Sequence, residues 1–211
     1  VITCIVSGID ERFKAFIPVY GCGYLYEHSA MTASIEGLPA VERERWIQYY
    51  DPSRYVGRIA RPMLFVNGTN DSHFYLDVYK KTYLQASKRT LCVKPRMRHG
   101  HPAGWTNPEI FAFTDNLFFD TPALPETGAP EKGIGKISCP VSSVSPLREA
   151  SFNYTTDSGE LKLREWVAVP AEWSGTELYV TELPEGTTVW FFSVKDEAGR
   201  YVSSDIVFEE L

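Results

Sequence analysis

The chain has 211 residues, 44% of them hydrophobic and 23% charged, a balance that is typical of a folded globular protein. No run of about 18 apolar residues occurs, and the net charge of -6 gives no basic surface for phosphates, so we expect neither a membrane nor a nucleic acid as partner. The length suits one large domain or two small ones.

The charged residues divide the chain into two parts. Residues 1–121 carry 14 Lys and Arg against 12 Asp and Glu, whereas residues 122–211 carry 7 against 15. Between them the sequence is rich in Pro, Gly, Glu and Ala, which is typical of a linker. We therefore predict a first domain over 1–121, a linker over 122–136 and a second domain over 137–211.

The first part alternates apolar strands with helical patterns. The segments are helix 1–8, strand 13–20, helix 39–50, strand 62–68, helix 75–87, strand 90–95 and a helix from Asn107. This order predicts an α/β domain with a parallel sheet covered by helices. Because so few strands cannot make such a sheet, and the sequence opens at Val1 without a Met, we expect the first half of this domain to precede Val1.

The second part has a periodicity of two. Short strands around 151–155, 161–169, 177–181, 188–194 and 201–208 are separated by Gly-containing turns. This pattern predicts an all-β sandwich of the immunoglobulin or fibronectin type. The four cysteines form no CxxC pair, and one disulfide remains possible.

Two loops carry residue types suited to acid–base chemistry. Asp71 follows the strand at 62–68, and His99 follows the strand at 90–95. An imidazole can take a proton from a nucleophile near neutral pH, and a carboxylate can orient that imidazole. The loops follow the carboxyl ends of neighbouring parallel strands, so Asp71 and His99 are predicted to lie within hydrogen-bond distance, with His101 as the second candidate for the base.

The segments Asn67-Gly-Thr-Asn-Asp71 and Met97-Arg-His-Gly-His-Pro-Ala-Gly-Trp105 resemble the carboxyl-terminal half of α/β-hydrolases over about residues 1–120. The resemblance is to the acetyl xylan esterase, dienelactone hydrolase and prolyl oligopeptidase-like group. It implies that Asp71 and His99 belong to a catalytic triad, that the substrate is a small ester or an acetylated polysaccharide, and that no cofactor or metal is required. It also implies a secreted or periplasmic protein, and a peptidase is the alternative enzyme.

The nucleophile of that family, a serine two residues after a glycine, is missing from the sequence. We expect it just before Val1, so this chain by itself should be inactive. Cys22 is a poor substitute because its neighbouring glycines have the wrong spacing. A non-catalytic binding remnant is a third interpretation.

Each candidate residue also has a plainer interpretation. Asp71 could close an Asx turn, His99 and His101 could be surface residues, and a zinc site formed by Asp71 with both histidines is weakly indicated. Tyr24, Trp46 and Trp105 are candidates for a substrate-binding wall, with core packing as the alternative. In the second part, Trp173 is the best candidate for an exposed, carbohydrate-stacking tryptophan. The sequence does not indicate an oligomeric state.

Overall fold

A computed structural model describes residues 1–209. The α-helices are α1 (Ile2–Val6), α2 (Thr32–Glu36), α3 (Ala40–Tyr50), α4 (Leu76–Tyr83), α5 (His101–Trp105) and α6 (Pro108–Phe119). Two 3-10 helices cover Pro52–Arg54 and Leu161–Leu163. None of the helices in this part of the chain has the length and apolar character needed to cross a membrane.

Twelve strands make up most of the regular structure. They are β1 (Met63–Asn70), β2 (Arg89–Arg98), β3 (Glu126–Thr127), β4 (Glu131–Gly133), β5 (Lys136–Ser142), β6 (Leu147–Thr155), β7 (Val167–Pro170), β8 (Glu172–Ser174), β9 (Glu177–Val180), β10 (Val189–Asp196), β11 (Tyr201–Ser203) and β12 (Val207–Phe208).

The strands form two sheets. The larger has seven strands in the order β1-β2-β11-β10-β6-β7, with β12 also paired to β10. The smaller has five strands in the order β3-β5-β9-β8, with β4 paired to β5. The larger sheet therefore contains strands from both ends of the chain.

The predicted fold class, a parallel α/β sheet followed by a separate sandwich, is wrong. Among the named strands of residues 1–209, β1 and β2 form the one parallel pair, and Phe16 and Val19 add isolated parallel bridges to Met63 and Val66 of β1. Beyond β2 the sheet continues through antiparallel pairs. Strand β11 joins β2 by pairing Ser203 with Leu91. The apolar run of β2 indicated burial on both faces, but such a run does not specify which strand lies on its second side.

The segment predicted as a linker contains two short strands. Strands β3 and β4 both pair with β5, so residues 126–133 are part of the smaller sheet. The division of the chain into domains at these boundaries stays a prediction.

Alternating side chains of β1 belong to two hydrophobic clusters, as a strand's period of two requires. Phe65 packs with Tyr79 and Tyr83 of α4 in the first cluster. Leu64 and Val66 belong to the second cluster, which contains Phe152 of β6 and both Trp190 and Phe192 of β10. Strand β1 is thus packed on both faces, which fixes the position of its carboxyl end.

Candidate active site

Asp71 and His99 lie side by side at one edge of the larger sheet. Asp71 directly follows β1 and His99 directly follows β2, and parallel strands end at the same edge. The Nδ1 atom of His99 is 3.0 Å from Oδ2 of Asp71. The Asp71 side chain is 1% exposed and the His99 side chain 28% exposed, so the carboxylate is buried beneath an imidazole that solvent can reach.

The Asp71 carboxylate is fixed by its own loop. Its Oδ1 accepts the backbone N–H groups of His73 at 2.7 Å and Phe74 at 2.9 Å. The Asn67 side-chain amide donates to the Phe74 carbonyl at 3.2 Å, which ties this turn to β1. One carboxylate oxygen thus closes an Asx-type turn, and the other faces His99. An ionised carboxylate only accepts hydrogen bonds, so in the pair of an aspartate with an imidazole the donor to Oδ2 is Nδ1 of His99.

A β-bulge in β2 determines the position of His99 relative to the end of β1. Gly68 pairs with Lys94, but the next paired residue on β1, Asn70, pairs with Arg98, so β2 contains extra residues. Arg96, at the centre of this bulge, has a φ of 60° and donates its backbone N–H to Thr69. The bulge therefore decides where β2 ends and His99 begins.

Gly68 allows the two strands to come close at this bulge. A Cβ atom at Gly68 would lie 1.9 Å from the carbonyl oxygen of Met97. No other residue fits this position without moving β2, so the approach of His99 to Asp71 depends on this glycine.

Aromatic rings surround the imidazole of His99. Ring centroids lie at 4.5 Å for Tyr20, 4.2 Å for His73 and 5.8 Å for Phe74. The Tyr20 hydroxyl donates to the carbonyl of Gly100 at 2.8 Å, which connects the loop after β2 to the segment beside β1. Burial and then the nearby Asp71 charge raise the pKa of Tyr20, so its hydroxyl stays protonated at neutral pH.

The sequence did not point to Tyr20 or His73 as members of this group. His73 lies two positions after Asp71 in the same loop, and this nearness in sequence is the signal that could have indicated it. Tyr20 has a φ of 65°, a strained backbone that no sequence pattern indicated. Asp71, His73 and His99 are also the side chains in residues 1–209 whose ligand atoms could meet at one metal ion.

The backbone of Val1 lies close to this strand edge. A Cβ atom on Gly21 would be 2.2 Å from the nitrogen of Val1. Gly21 follows Tyr20, whose ring contacts His99. The residue before α1 therefore lies against Gly21, and the His99 imidazole lies against the adjacent Tyr20.

The other predicted site residues make their observed contacts elsewhere. The His101 ring packs against Trp105, at 5.7 Å between centroids, and Trp105 is 71% exposed. Tyr24 accepts a hydrogen bond from Gln85, and Trp46 packs against the first hydrophobic cluster. Roles for Tyr24, Trp46 and Trp105 in substrate binding, and for His101 as the base, stay predictions.

Cys22 has the wrong chemistry for a nucleophile. Its side chain is fully buried, and burial raises its pKa well above the ordinary value of a thiol, so the reactive thiolate is suppressed. Cys4 nearby has its pKa raised to about 11, again chiefly by burial. All four cysteines are free thiols, so the possible disulfide is not formed.

The two cavities found in residues 1–209 do not include this pair. One, of about 550 Å³, is lined by Met63 and Arg89, at the opposite ends of β1 and β2 from Asp71 and His99. The other, of about 560 Å³, is lined by His28 and other residues.

Comparisons with known proteins identify no family. Neither a family model nor a curated protein matches the chain. A solved structure of pectate lyase PelI from Erwinia chrysanthemi, in complex with tetragalacturonic acid, aligns with 16% identity and a TM-score of 0.27. The alignment covers 40% of this chain and 28% of the pectate lyase chain, and a similarity this low supports no conclusion about fold or function.

The resemblance to α/β-hydrolases is therefore wrong as an assignment of family. The chain consists mainly of β-strands in mixed and antiparallel sheets, with few helices, and the comparisons give no match to an α/β-hydrolase or a serine esterase. The two motifs that carried the resemblance are short strand-end loops, and such loops occur in other folds.

Proposed function

We propose that Asp71 and His99 are the acid–base pair of an enzyme that hydrolyses carboxylic esters. The observation that supports this most directly is the buried Asp71 carboxylate 3.0 Å from Nδ1 of a partly exposed imidazole. With Nδ1 donating to Asp71, the lone pair of a neutral His99 lies on Nε2. In residues 1–209 no hydrogen bond to Nε2 of His99 is found, so this atom is free to accept a proton.

The proposed reaction has two steps. In the first, a hydroxyl oxygen attacks the ester carbonyl while its proton moves to Nε2 of His99, and that proton then leaves with the alcohol as the ester C–O bond breaks. In the second, water loses a proton to the same nitrogen and attacks the acyl group. The bond between the acyl carbon and the nucleophile's oxygen then breaks, His99 returns the proton to that oxygen, and a carboxylic acid is released. Asp71 orients the ring and stabilises its charged form throughout.

The hydroxyl in this proposal comes from a residue that precedes Val1. The nearness of Val1 to Gly21, the residue after Tyr20, supports this, because residues preceding Val1 would emerge beside the ring that contacts His99. A serine or threonine there could approach Nε2.

Small acyl esters and acetylated polysaccharides are the proposed substrates. This substrate class follows only from the sequence motifs that resemble α/β-hydrolases, and apart from the acid–base pair no observed contact supports it. Peptide hydrolysis uses the same acid–base chemistry, and a protein that only binds its ligand needs none, so the experiment includes both alternatives as outcomes.

The test is an activity measurement on the full-length natural protein. Initial rates with 4-nitrophenyl acetate and with a prolyl peptide are compared for the wild type, His99→Ala, His101→Ala and His28→Ala. His28 is the matched control because it also pairs with an aspartate, Asp77, at 2.6 Å. We expect ester hydrolysis that falls by about 10²–10⁴ in His99→Ala and changes less than about twofold in His28→Ala.

Three results would contradict the proposal. A loss below about tenfold in His99→Ala, with a larger loss in His101→Ala, would transfer the base to His101. Turnover of the peptide without turnover of the ester would indicate a peptidase. Absence of both activities in a folded full-length protein would favour a binding function.

A further inference from the structure

His73 adds a third ligand to the pair of Asp71 and His99. One nitrogen of each ring and one Asp71 oxygen all lie within 4.8 Å of one another. The two imidazoles are nearly stacked, 4.2 Å apart with 33° between their planes. Ligands about 2.0–2.2 Å from a tetrahedral zinc ion are roughly 3.4 Å apart, so small side-chain rotations bring these three atoms to binding distance.

From this geometry we infer that Asp71, His73 and His99 form a binding site for Zn²⁺ or a similar transition-metal dication. Two imidazole nitrogens and one carboxylate oxygen are ligands that such ions prefer, and three protein ligands leave one coordination position for water. This site differs from the zinc site of Asp71, His99 and His101 that the sequence weakly indicated, because His73 takes the place of His101.

The surroundings fix one ligand and leave another accessible. The Asp71 carboxylate is held by the backbone N–H groups of His73 and Phe74, which is the kind of support that orients a metal ligand. His73 is exposed, so an ion can enter from solvent. A buried, preoriented carboxylate and an exposed histidine together make a site that can fill without unfolding.

An ion at this position would inhibit the proposed ester hydrolysis; this consequence, unlike the binding itself, rests on the proposed function. The ion would occupy the Asp71 oxygen and a His99 nitrogen that otherwise share a proton. His99 could then no longer receive the proton of the nucleophile, so the ion and the acid–base pair exclude each other.

Binding is tested on the purified chain by titrating Zn²⁺ in a calorimeter and by the visible absorption of Co²⁺ in the same site. We expect one ion per chain, with an affinity at least about tenfold weaker in His73→Gln and His99→Gln. His73 is exposed, so His73→Gln should fold, and circular dichroism checks this. The matched control is His28→Gln, which removes a histidine from the other His–Asp pair and should leave affinity unchanged.

The possible outcomes separate the metal site from the proposed function. Failure to bind Zn²⁺ at about millimolar concentration, or equal affinity in His73→Gln and wild type, overturns the metal site whatever the activity. Binding that depends on His73, in a full-length protein without esterase activity, supports the site and rejects the function. In an active protein, Zn²⁺ should inhibit hydrolysis, EDTA should restore it, and the fraction inhibited should be smaller in His73→Gln.

Discussion

Residues 1–209 contain two histidine–aspartate pairs that join the same atoms, Nδ1 and Oδ2, but differ in burial and in the support of the carboxylate. His28 and Asp77 are 2.6 Å apart, closer than the 3.0 Å between His99 and Asp71. However, the side chains of His28 and Asp77 are 49% and 37% exposed, whereas Asp71 is 1% exposed. The shorter pair is thus the one that solvent screens more.

The second oxygen of each carboxylate shows the same contrast. Oδ1 of Asp71 accepts two backbone N–H groups, whereas Oδ1 of Asp77 has no hydrogen-bond partner among residues 1–209. Each histidine also has a tyrosine ring at 4.5 Å, Tyr20 for His99 and Tyr75 for His28. Burial and fixed geometry, rather than the pair distance, therefore distinguish the candidate site.

The largest stability difference is expected between the two aspartates. Asp71→Ala removes a buried acceptor of three hydrogen bonds and should cost about 2–3 kcal/mol in the free energy of unfolding. Asp77→Ala removes an exposed ion pair in the first turn of α4 and should cost less than about 1 kcal/mol. Urea unfolding monitored by circular dichroism measures both. Equal losses would mean that the two aspartates contribute equally to the free energy of unfolding, despite their different burial.

The strand geometry that places His99 can be tested at two glycines. Gly68→Ala puts a Cβ atom 1.9 Å from the Met97 carbonyl and should cost about 2 kcal/mol. Gly100, next to His99, has no atom within 4 Å of an added Cβ, so Gly100→Ala should change stability by less than about 0.5 kcal/mol. Thermal unfolding distinguishes the two variants. If Gly68→Ala were as stable as the wild type, the close approach at the bulge would not be what positions His99.

The smallest expected difference concerns the tyrosines whose rings contact the two histidines, Tyr20 beside His99 and Tyr75 beside His28. Tyr20→Phe loses the hydrogen bond to the Gly100 carbonyl, so it should cost about 1 kcal/mol. Tyr75→Phe keeps the ring against His28 and should cost less than about 0.5 kcal/mol. Both are measured by urea unfolding at one temperature. A larger loss for Tyr75→Phe would show that Tyr20 does not brace the loop after β2.

Local patterns predicted much of the secondary structure. The apolar runs at 62–68 and 90–95 correspond to β1 and β2. The helical spacing at 39–50 corresponds to α3, and α4 covers the larger part of the helix predicted at 75–87. The closeness of Asp71 and His99 followed from the same reasoning, because adjacent parallel strands end at one edge. The helices and strands depend on residues that are near in sequence, and the closeness of Asp71 and His99 depends only on the pairing of β1 with β2.

Long-range pairing was the part that could not be predicted. Ser203 pairs with Leu91, and its hydroxyl accepts the backbone N–H of Val93, 110 positions away. The backbone N–H of Tyr201 donates to the buried Glu109 carboxylate. These polar contacts join the two halves into one sheet, and neither residue carries a local signal of its partner. The wrong fold class came from treating the halves as separate sheets.

The most direct test of the account is the protonation of the His99 ring, read from ¹⁵N NMR of the chain at about pH 8, where ordinary imidazoles are neutral. We predict that the ring proton lies on Nδ1 and exchanges slowly because Asp71 accepts its hydrogen bond. This slow exchange should be lost in Asp71→Asn. The ring proton of His28 should exchange rapidly in both proteins. A proton on Nε2 of His99, or a ring spectrum unchanged by Asp71→Asn, would contradict the pair from which the proposed chemistry follows.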